Sequence, residues 1–306
     1  MEQRLRQELS RIVAHPVQWD CSLAEYTSFG IGGPAEALVT VDRREELAAL
    51  LGFLEASRIP WRVIGKGTNL LVRDEGFAGA VLLLGRDFKQ VDLVPGGGGL
   101  WRARVGAGCS LARLVSLCGV KGLAGLEFAV GIPGTVGGAA VMNAGAWGSD
   151  MAAVIRAVTM IDQAGEEVLG REDLHFGYRC WQDFRRFAGR AVVAGCELEL
   201  AEDDPQEVRR RCTVFQQKRQ GGQPRGQGNA GSFFRNPAND SAGRLIEASG
   251  LKGMTVGGAM VSEKHANFLV NAGGATAADV LALMRLVQDK VRQDSGVELE
   301  PEVHVL

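Results

Sequence analysis

The chain has 306 residues, 34 Lys and Arg against 36 Asp and Glu, a formal net charge of −2, and 46% hydrophobic residues. Near-balanced charge excludes the basic footprint of a nucleic-acid binder and offers little to an anionic membrane surface. No apolar run approaches the about 20 residues that a spanning helix needs. At this length two domains are a better expectation than one core. The amphipathic, charged start, Met1 to Leu9, lacks the apolar core of a signal peptide, so the cytoplasm is the default. Six cysteines, at positions 21, 109, 118, 180, 196 and 212, form no C-x-x-C. They read as small buried hydrophobes rather than a disulfide framework, and no metal site is expected.

Taken in order, Leu5, Leu9, Ile12 and Val13 mark one face of a first helix, ended by His15-Pro16. Asp42-Arg-Arg-Glu45 reads as a capping-box start for a helix that turns Leu47, Leu50, Leu51 and Leu54 inward. A short strand at 61–64 then closes a β-α-β unit, and 79–84 is another buried strand. The glycines at 96–99 read as a loose hairpin tip before a strand at 100–105, and Ser110 as the cap of a short helix through Cys118. Asp162-Gln-Ala-Gly165 is a hairpin signature between strands at 154–161 and 167–169, and 191–200 supplies one more. Asp204-Pro205-x-Glu207 opens a helix to about 219, the expected bridge between domains. After it come a helix at 244–249 closed by Gly250 and a long helix opened by Thr276-x-x-Asp279. In that helix Leu281, Met284, Val287 and Val291 share a side. The chain ends in an alternating strand at 297–305.

Two glycine-rich stretches stand out. The stretch 127–148 holds Gly131, Gly134, Gly137, Gly138, Gly145 and Gly148 and almost no charge, which suits a buried or covered segment better than a linker. Glycine lets backbone N–H groups approach a ligand, and successive amides form nests for anions. Taken alone, the stretch is equally well a tight packing turn. The second, Gly65-Lys-Gly-Thr-Asn69, follows the 61–64 strand and precedes Leu70-Leu-Val72. It matches neither the triphosphate loop nor the dinucleotide fingerprint. Together the two turns suggest a pyrophosphate gripped from both sides.

Three motifs in order, Tyr26-Thr-Ser-Phe-Gly-Ile-Gly-Gly33, Gly65-Lys-Gly-Thr-Asn-Leu-Leu-Val72 and Gly131-Ile-Pro-Gly-Thr-Val-Gly-Gly138, resemble the UDP-N-acetylenolpyruvoylglucosamine reductases, flavoenzymes of peptidoglycan synthesis. The resemblance runs from about residue 20 to the C-terminus. It implies an α+β fold with an FAD-binding domain of the vanillyl-alcohol-oxidase type at 1–203, in two α/β subdomains split near 85. An α/β substrate-binding domain would follow at 204–306, its last strand free to return to the first domain. It further implies that Gly65, Lys66, Gly67, Thr68 and Asn69, with Gly131, Ile132, Pro133, Gly134, Thr135, Gly137 and Gly138, contact the FAD pyrophosphate. Met142, Asn143 and Ala144 would face the ring. No histidine lies between His15 and His175, so the flavin is expected to be non-covalent.

The resemblance also implies NADPH-dependent reduction of UDP-N-acetylglucosamine enolpyruvate. Arg179, in Phe176-Gly-Tyr-Arg179, matches the arginine at the enolpyruvyl carboxylate, where a planar guanidinium suits a bidentate contact. Ser232, in Gly231-Ser-Phe-Phe, matches the proton donor, and Glu302, in Leu299-Glu-Pro-Glu-Val303, the third catalytic residue. Without that context each has a plain structural reading: a surface arginine, a turn serine, a solvent-facing carboxylate. Tyr178, Lys218 and Asn236 are carried over as substrate contacts. Too few residues separate Arg179 from the strand near 191 for a tyrosine-bearing lid, so the chain resembles the shorter class of the family. The lysine that commonly precedes Gln-Pro is replaced by Gly222, which leaves Lys218, Arg219 or Arg225 to take its place. The competing readings are an oxidase of the same fold and a non-catalytic nucleotide-binding module.

Overall fold

The computed structural model describes residues 1–306. The chain forms two compact units. One comprises Met1–Trp19, Glu36–Gly65 and Gly79–Arg219; the other comprises Asp20–Ala35, Lys66–Ala78 and Gln220–Leu306.

Two sheets lie mostly in the first unit. In the four-stranded sheet the order is Gln18–Ser22, Pro34–Val41, Phe77–Leu84, Trp61–Val63, the last two parallel. The helix Arg44–Ala56 buries Leu47, Leu50, Leu51 and Leu54 completely or nearly so, each contributing about 1.5–3 kcal/mol by its removal from water. Their cluster takes in Ile161, Val192 and Ala194 of the second sheet, so one leucine stripe glues both sheets. That second sheet is antiparallel throughout, in the order Gly165–Gly170, Ile155–Asp162, Val192–Glu202, Leu100–Gly106, Val91–Gly97. Its hairpin turns where the sequence places it: Asp162 Oδ1 accepts the amides of Ala164 and Gly165 at 2.7 and 3.1 Å.

Two capping expectations are corrected. The helix after residue 42 begins at Arg44, and it is Glu46 that folds back to accept the amides of Arg43 (3.3 Å) and Ala14 (2.6 Å). Asp42 instead accepts the Arg86 amide at 2.9 Å and lies 2.9 Å from His15 Nε2. These contacts, the amide first, hold its carboxyl at about 2. Ser110 precedes the helix Leu111–Lys121 but makes no side-chain cap; its backbone bridges to Thr135 instead.

The second unit has a four-stranded antiparallel sheet, Gly228–Asn229, Leu269–Asn271, Ala259–Val261, Thr255–Val256. It also has the helices Ala242–Ala248 and Ala277–Ser295. Thr276 and Asp279 cap each other's amides at 3.1 and 3.0 Å, a capping box at the helix start read from sequence. The buried face of the long helix is Ala277, Val280, Leu283, Val287 and Val291; Leu281 and Met284 are only partly buried. The expected strand at 297–305 shrinks to His304–Val305, which pairs in parallel with Leu70–Leu71. Pro301 has no N–H to continue a ladder and makes only a bridge to Phe234.

The division therefore differs from a break at 203/204. The helix Pro205–Gly222 belongs to the first unit through Arg219. Val208 is buried there, and Arg211 reaches Glu127 at 2.9 Å and Asp203 at 2.6 Å. The segments 20–35 and 66–78 join the second unit by backbone and capping bonds. Arg73 N donates to Leu306 O, Ser28 Oγ to Asn229 O, and Asp74 accepts the amides of Ala277 and Ala278.

Because the Asp42 carboxyl is depressed by contacts that exist only in the folded state, its stabilisation is present above its unfolded value and lost as pH falls through about 2. Asp42→Asn is expected to lower the melting temperature at pH 7, and the gap from the parent should close between about pH 4 and pH 2. A gap that persists to pH 2 would contradict this.

Candidate active site

In the first unit the two glycine-rich stretches meet. A β-carbon at Gly65 would sit 2.6 Å from Thr135 Oγ1, and one at Gly137 2.7 Å from Ala107 Cβ. Thr135 caps the short helix Val136–Val141, accepting the Gly138 amide at 3.3 Å. Several amides of the turn are used internally: Ile132 donates to Ala129 O, Val136 to Cys109 O and Gly137 to Ala107 O. Gly137 thus contributes space rather than a donor. Gly131 (φ 73°) and Gly134 (φ 132°) take the left-handed conformations expected of an anion nest.

Gly131 faces a cation. A β-carbon there would lie 2.7 Å from Arg219 Cδ. The buried Arg219 Nε has no hydrogen-bond partner, and burial, followed by the neighbouring charge of Arg179, pushes the guanidinium below its ordinary range. Arg179 is half-buried at the turn between Phe176–Gly177 and Cys180–Trp181, with φ 57°. Its Nη1 donates to Gly145 O at 2.7 Å. Two arginines whose charges repel, beside a glycine turn, form an electrostatic site for an anion. Nothing in the residue type singles out Arg219; the available signal is its place one residue after Lys218 and four after Phe215 on one helix. Lys218 Nζ lies 5.8 Å from the ring centroid of Trp147, which stacks on Phe215 at 5.6 Å with an interplanar angle of 2°. Sequence reading passed over this platform. Tyr178 is exposed, its ring 5.4 Å from the Arg179 guanidinium.

Asn143 is 3% exposed and its side chain faces protein. Nδ2 donates to Gly177 O and to Asp150 Oδ2, both at 3.0 Å, and Oδ1 accepts the Ala152 amide at 2.9 Å. Both amide hydrogens are therefore used within the chain, which removes them from the ring-facing role expected of this residue.

The second unit holds Lys66, Thr68, Asn69, Ser232, Asn236 and Glu302. Glu302 N donates to Phe233 O at 2.8 Å and Phe234 bridges Pro301, so the segments that carry Ser232 and Glu302 run side by side. The buried Asn267 fixes the first of them by exchanging both side-chain bonds with the Phe234 backbone, at 2.9 and 2.8 Å. Asn69 donates to Glu302 O at 3.1 Å and accepts the His304 amide on its own carbonyl. Gly67 (φ 58°) packs so closely that a β-carbon would meet Tyr26 O at 2.1 Å. Lys66 is exposed and Thr68 half-buried. Asn236 Oδ1 accepts the Ala242 amide at 3.1 Å, an ordinary helix-start contact.

A family model for the C-terminal domain of UDP-N-acetylenolpyruvoylglucosamine reductase matches residues 223–306, and one for an FAD-binding domain matches 35–169. The reductase of Desulfosudis oleivorans is 43% identical over 100% of this chain and 99% of its own. That of Geobacter sulfurreducens is 43% identical with the same coverage. The chain belongs to the UDP-N-acetylenolpyruvoylglucosamine reductase family. The crystal structure of the Thermus caldophilus member superposes with a TM-score of 0.80 at 40% identity, covering 95% of this chain and 98% of that one. No helix is long and apolar enough to cross a membrane.

The residues fit the FAD that this family of oxidoreductases carries. Gly131 and Gly134 take positive φ in a turn beside Arg219, and the Arg179–Arg219 field suits an anionic ligand.

The two kinds of arginine on this helix should respond oppositely to the same substitution in ligand-free protein. Arg219→Met, which removes a repelled charge, is expected to keep or raise the melting temperature. Arg211→Met strands the nearly buried Glu127 and is expected to cost about 1–3 kcal/mol. Equal losses in thermal melts would show that Arg219 is paired as well.

Proposed function

We propose that this reductase converts UDP-N-acetylglucosamine enolpyruvate to UDP-N-acetylmuramate, with NADPH as the electron source and FAD held non-covalently, as a cytoplasmic step of peptidoglycan synthesis. The observation that supports the reading is the bridge of Phe234 to Pro301 with the bond from Glu302 N to Phe233 O, which sets the segment carrying Ser232 beside the segment carrying Glu302. Gly65, Gly67, Gly131 and Gly134 would hold the FAD pyrophosphate, with Lys66, Thr68, Asn69, Ile132, Pro133, Thr135, Gly137 and Gly138 shaping the turns. When bound and reduced by NADPH, FAD would supply the hydride for C3 of the enolpyruvyl ether.

Every other requirement falls on side chains. Reduction of the double bond places negative charge on the enolpyruvyl carboxylate as an enolate. Arg179 binds that carboxylate through its planar fork, and its interaction strengthens as charge accumulates. Arg219 adds to the field and, with Lys218, replaces the lysine lost at Gly222 as a charge for the substrate diphosphate; Tyr178 and Asn236 would supply further substrate contacts. Ser232 gives its hydroxyl proton to C2, completing the saturated lactyl ether. Glu302 orients the reacting carbons and assists the enol form. A serine hydroxyl is a weak acid, so its value lies in placement.

The test separates the two halves of the reaction. In Ser232→Ala, flavin reduction by NADPH should stay within about twofold of the parent, because no proton is delivered to C2 in that half. Anaerobic reoxidation by the enolpyruvyl sugar should slow by about 10²–10⁴-fold, the usual worth of a positioned acid. Stopped-flow absorbance in the flavin band reads both. Normal reoxidation in the variant would remove Ser232 from the mechanism.

A further inference from the structure

We propose that Asn143 is a positioning residue for Arg179: it acts through Arg179 on the enolpyruvyl carboxylate rather than by contacting FAD. The inference rests on the reading of Arg179 given above.

The geometry is a clamp between two hairpins. Arg179 occupies the turn of one, and Asn143 Nδ2 holds the strand that enters that turn through Gly177 O. The other is the hairpin in which Gly145–Ala146 pairs with Ser149–Asp150. Asn143 reaches its far strand through Asp150 Oδ2 and the amide of Ala152 beyond it. Arg179 closes the same circuit from the opposite side by donating Nη1 to Gly145 O. The register fixes this spacing: Asp150 pairs with Gly145, and a β-carbon at Gly145 would sit 2.6 Å from Asp150 Cβ. One carboxamide and one guanidinium therefore tie the two hairpins at two points.

The backbone carries strain at the same places. Asn143, Trp147 and Arg179 all take positive φ, at 40°, 57° and 57°. Such conformations are costly in non-glycine residues and persist where surrounding contacts over-determine them. Asparagine is among the few side chains that tolerate the left-handed region, and here its buried amide supplies the contacts that hold Arg179 in the same conformation. A residue needed only for the turn at 143 would require the conformation but not the three hydrogen bonds.

Asn143→Gly isolates the side chain, because glycine keeps the left-handed backbone. The experiment compares Asn143→Gly, Arg179→Ala and the double variant in anaerobic reoxidation by the enolpyruvyl sugar. Bound FAD, flavin reduction by NADPH and thermal melting are measured alongside. Asn143→Gly is expected to retain FAD, to be reduced by NADPH within about twofold of the parent, and to slow reoxidation by about 10²-fold, the cost of a misplacement near 1 Å. In the Arg179→Ala background the same substitution should slow reoxidation no further, since coupled residues are non-additive. Multiplicative slowing in the double variant would overturn the proposal while leaving Arg179 in its role. Loss of FAD from Asn143→Gly would overturn it by making Asn143 a cofactor contact. Normal reoxidation in Arg179→Ala would instead remove the functional reading, and the inference with it.

Discussion

The close approach of backbone at Gly65 to the side chain of Thr135 is the constraint from which the first unit's site is built. There is no room for a β-carbon at 65, so the strand Trp61–Val63 can end against the start of the helix Val136–Val141 only with glycine there. That helix delivers Asn143 two residues after its last turn, Asn143 joins the hairpins, and the hairpins set Arg179. Sequence, local conformation and chemistry are thus linked by steric exclusion first and by hydrogen bonding second.

Electrostatics separates this site from the rest of the surface. Arg211 lies between Glu127 and Asp203, which raise its pKa, and Arg244 is held by Asp240 in the same sense. Arg219 shifts the other way because it is buried beside another cation. A guanidinium left in that condition is costly unless an anion is supplied. The folded chain tolerates the cost at the position where a carboxylate or diphosphate would relieve it, and arginine keeps its charge under such pressure where lysine would lose it.

Much of this was legible from residues alone. The leucine stripe at 47–54, the Asp162 hairpin and the Thr276 capping box depend on local chemistry, and each forms as read. The errors came where a local pattern had two solutions. Glu46 rather than Asp42 folds back at its helix start because a longer carboxylate reaches three amides, while Asp42 is drawn to Arg86 and His15. The long helix is apolar over a broad arc, so its buried face could be drawn through 281 and 284 or through 280 and 283. The division of the chain was out of reach because segments 20–35 and 66–78 are captured by bonds to residues some 200 positions away, such as Ser28 to Asn229 and Asp74 to Ala277. The motifs single out Arg179, Ser232 and Glu302, the residues that the proposed mechanism uses. The partnership of Arg179 with Arg219 and the inward use of Asn143 belong to tertiary contact and leave no periodic trace.

The central claim is that the electrons leave through the enolpyruvyl double bond. It is tested most directly by bleaching the purified yellow protein anaerobically with one equivalent of NADPH and then adding one equivalent of UDP-N-acetylglucosamine enolpyruvate. The account predicts full return of the flavin absorbance and formation of one equivalent of UDP-N-acetylmuramate, identified by a gain of two mass units. Absorbance that returns only on admitting oxygen, with the enolpyruvyl sugar recovered unchanged, would contradict it.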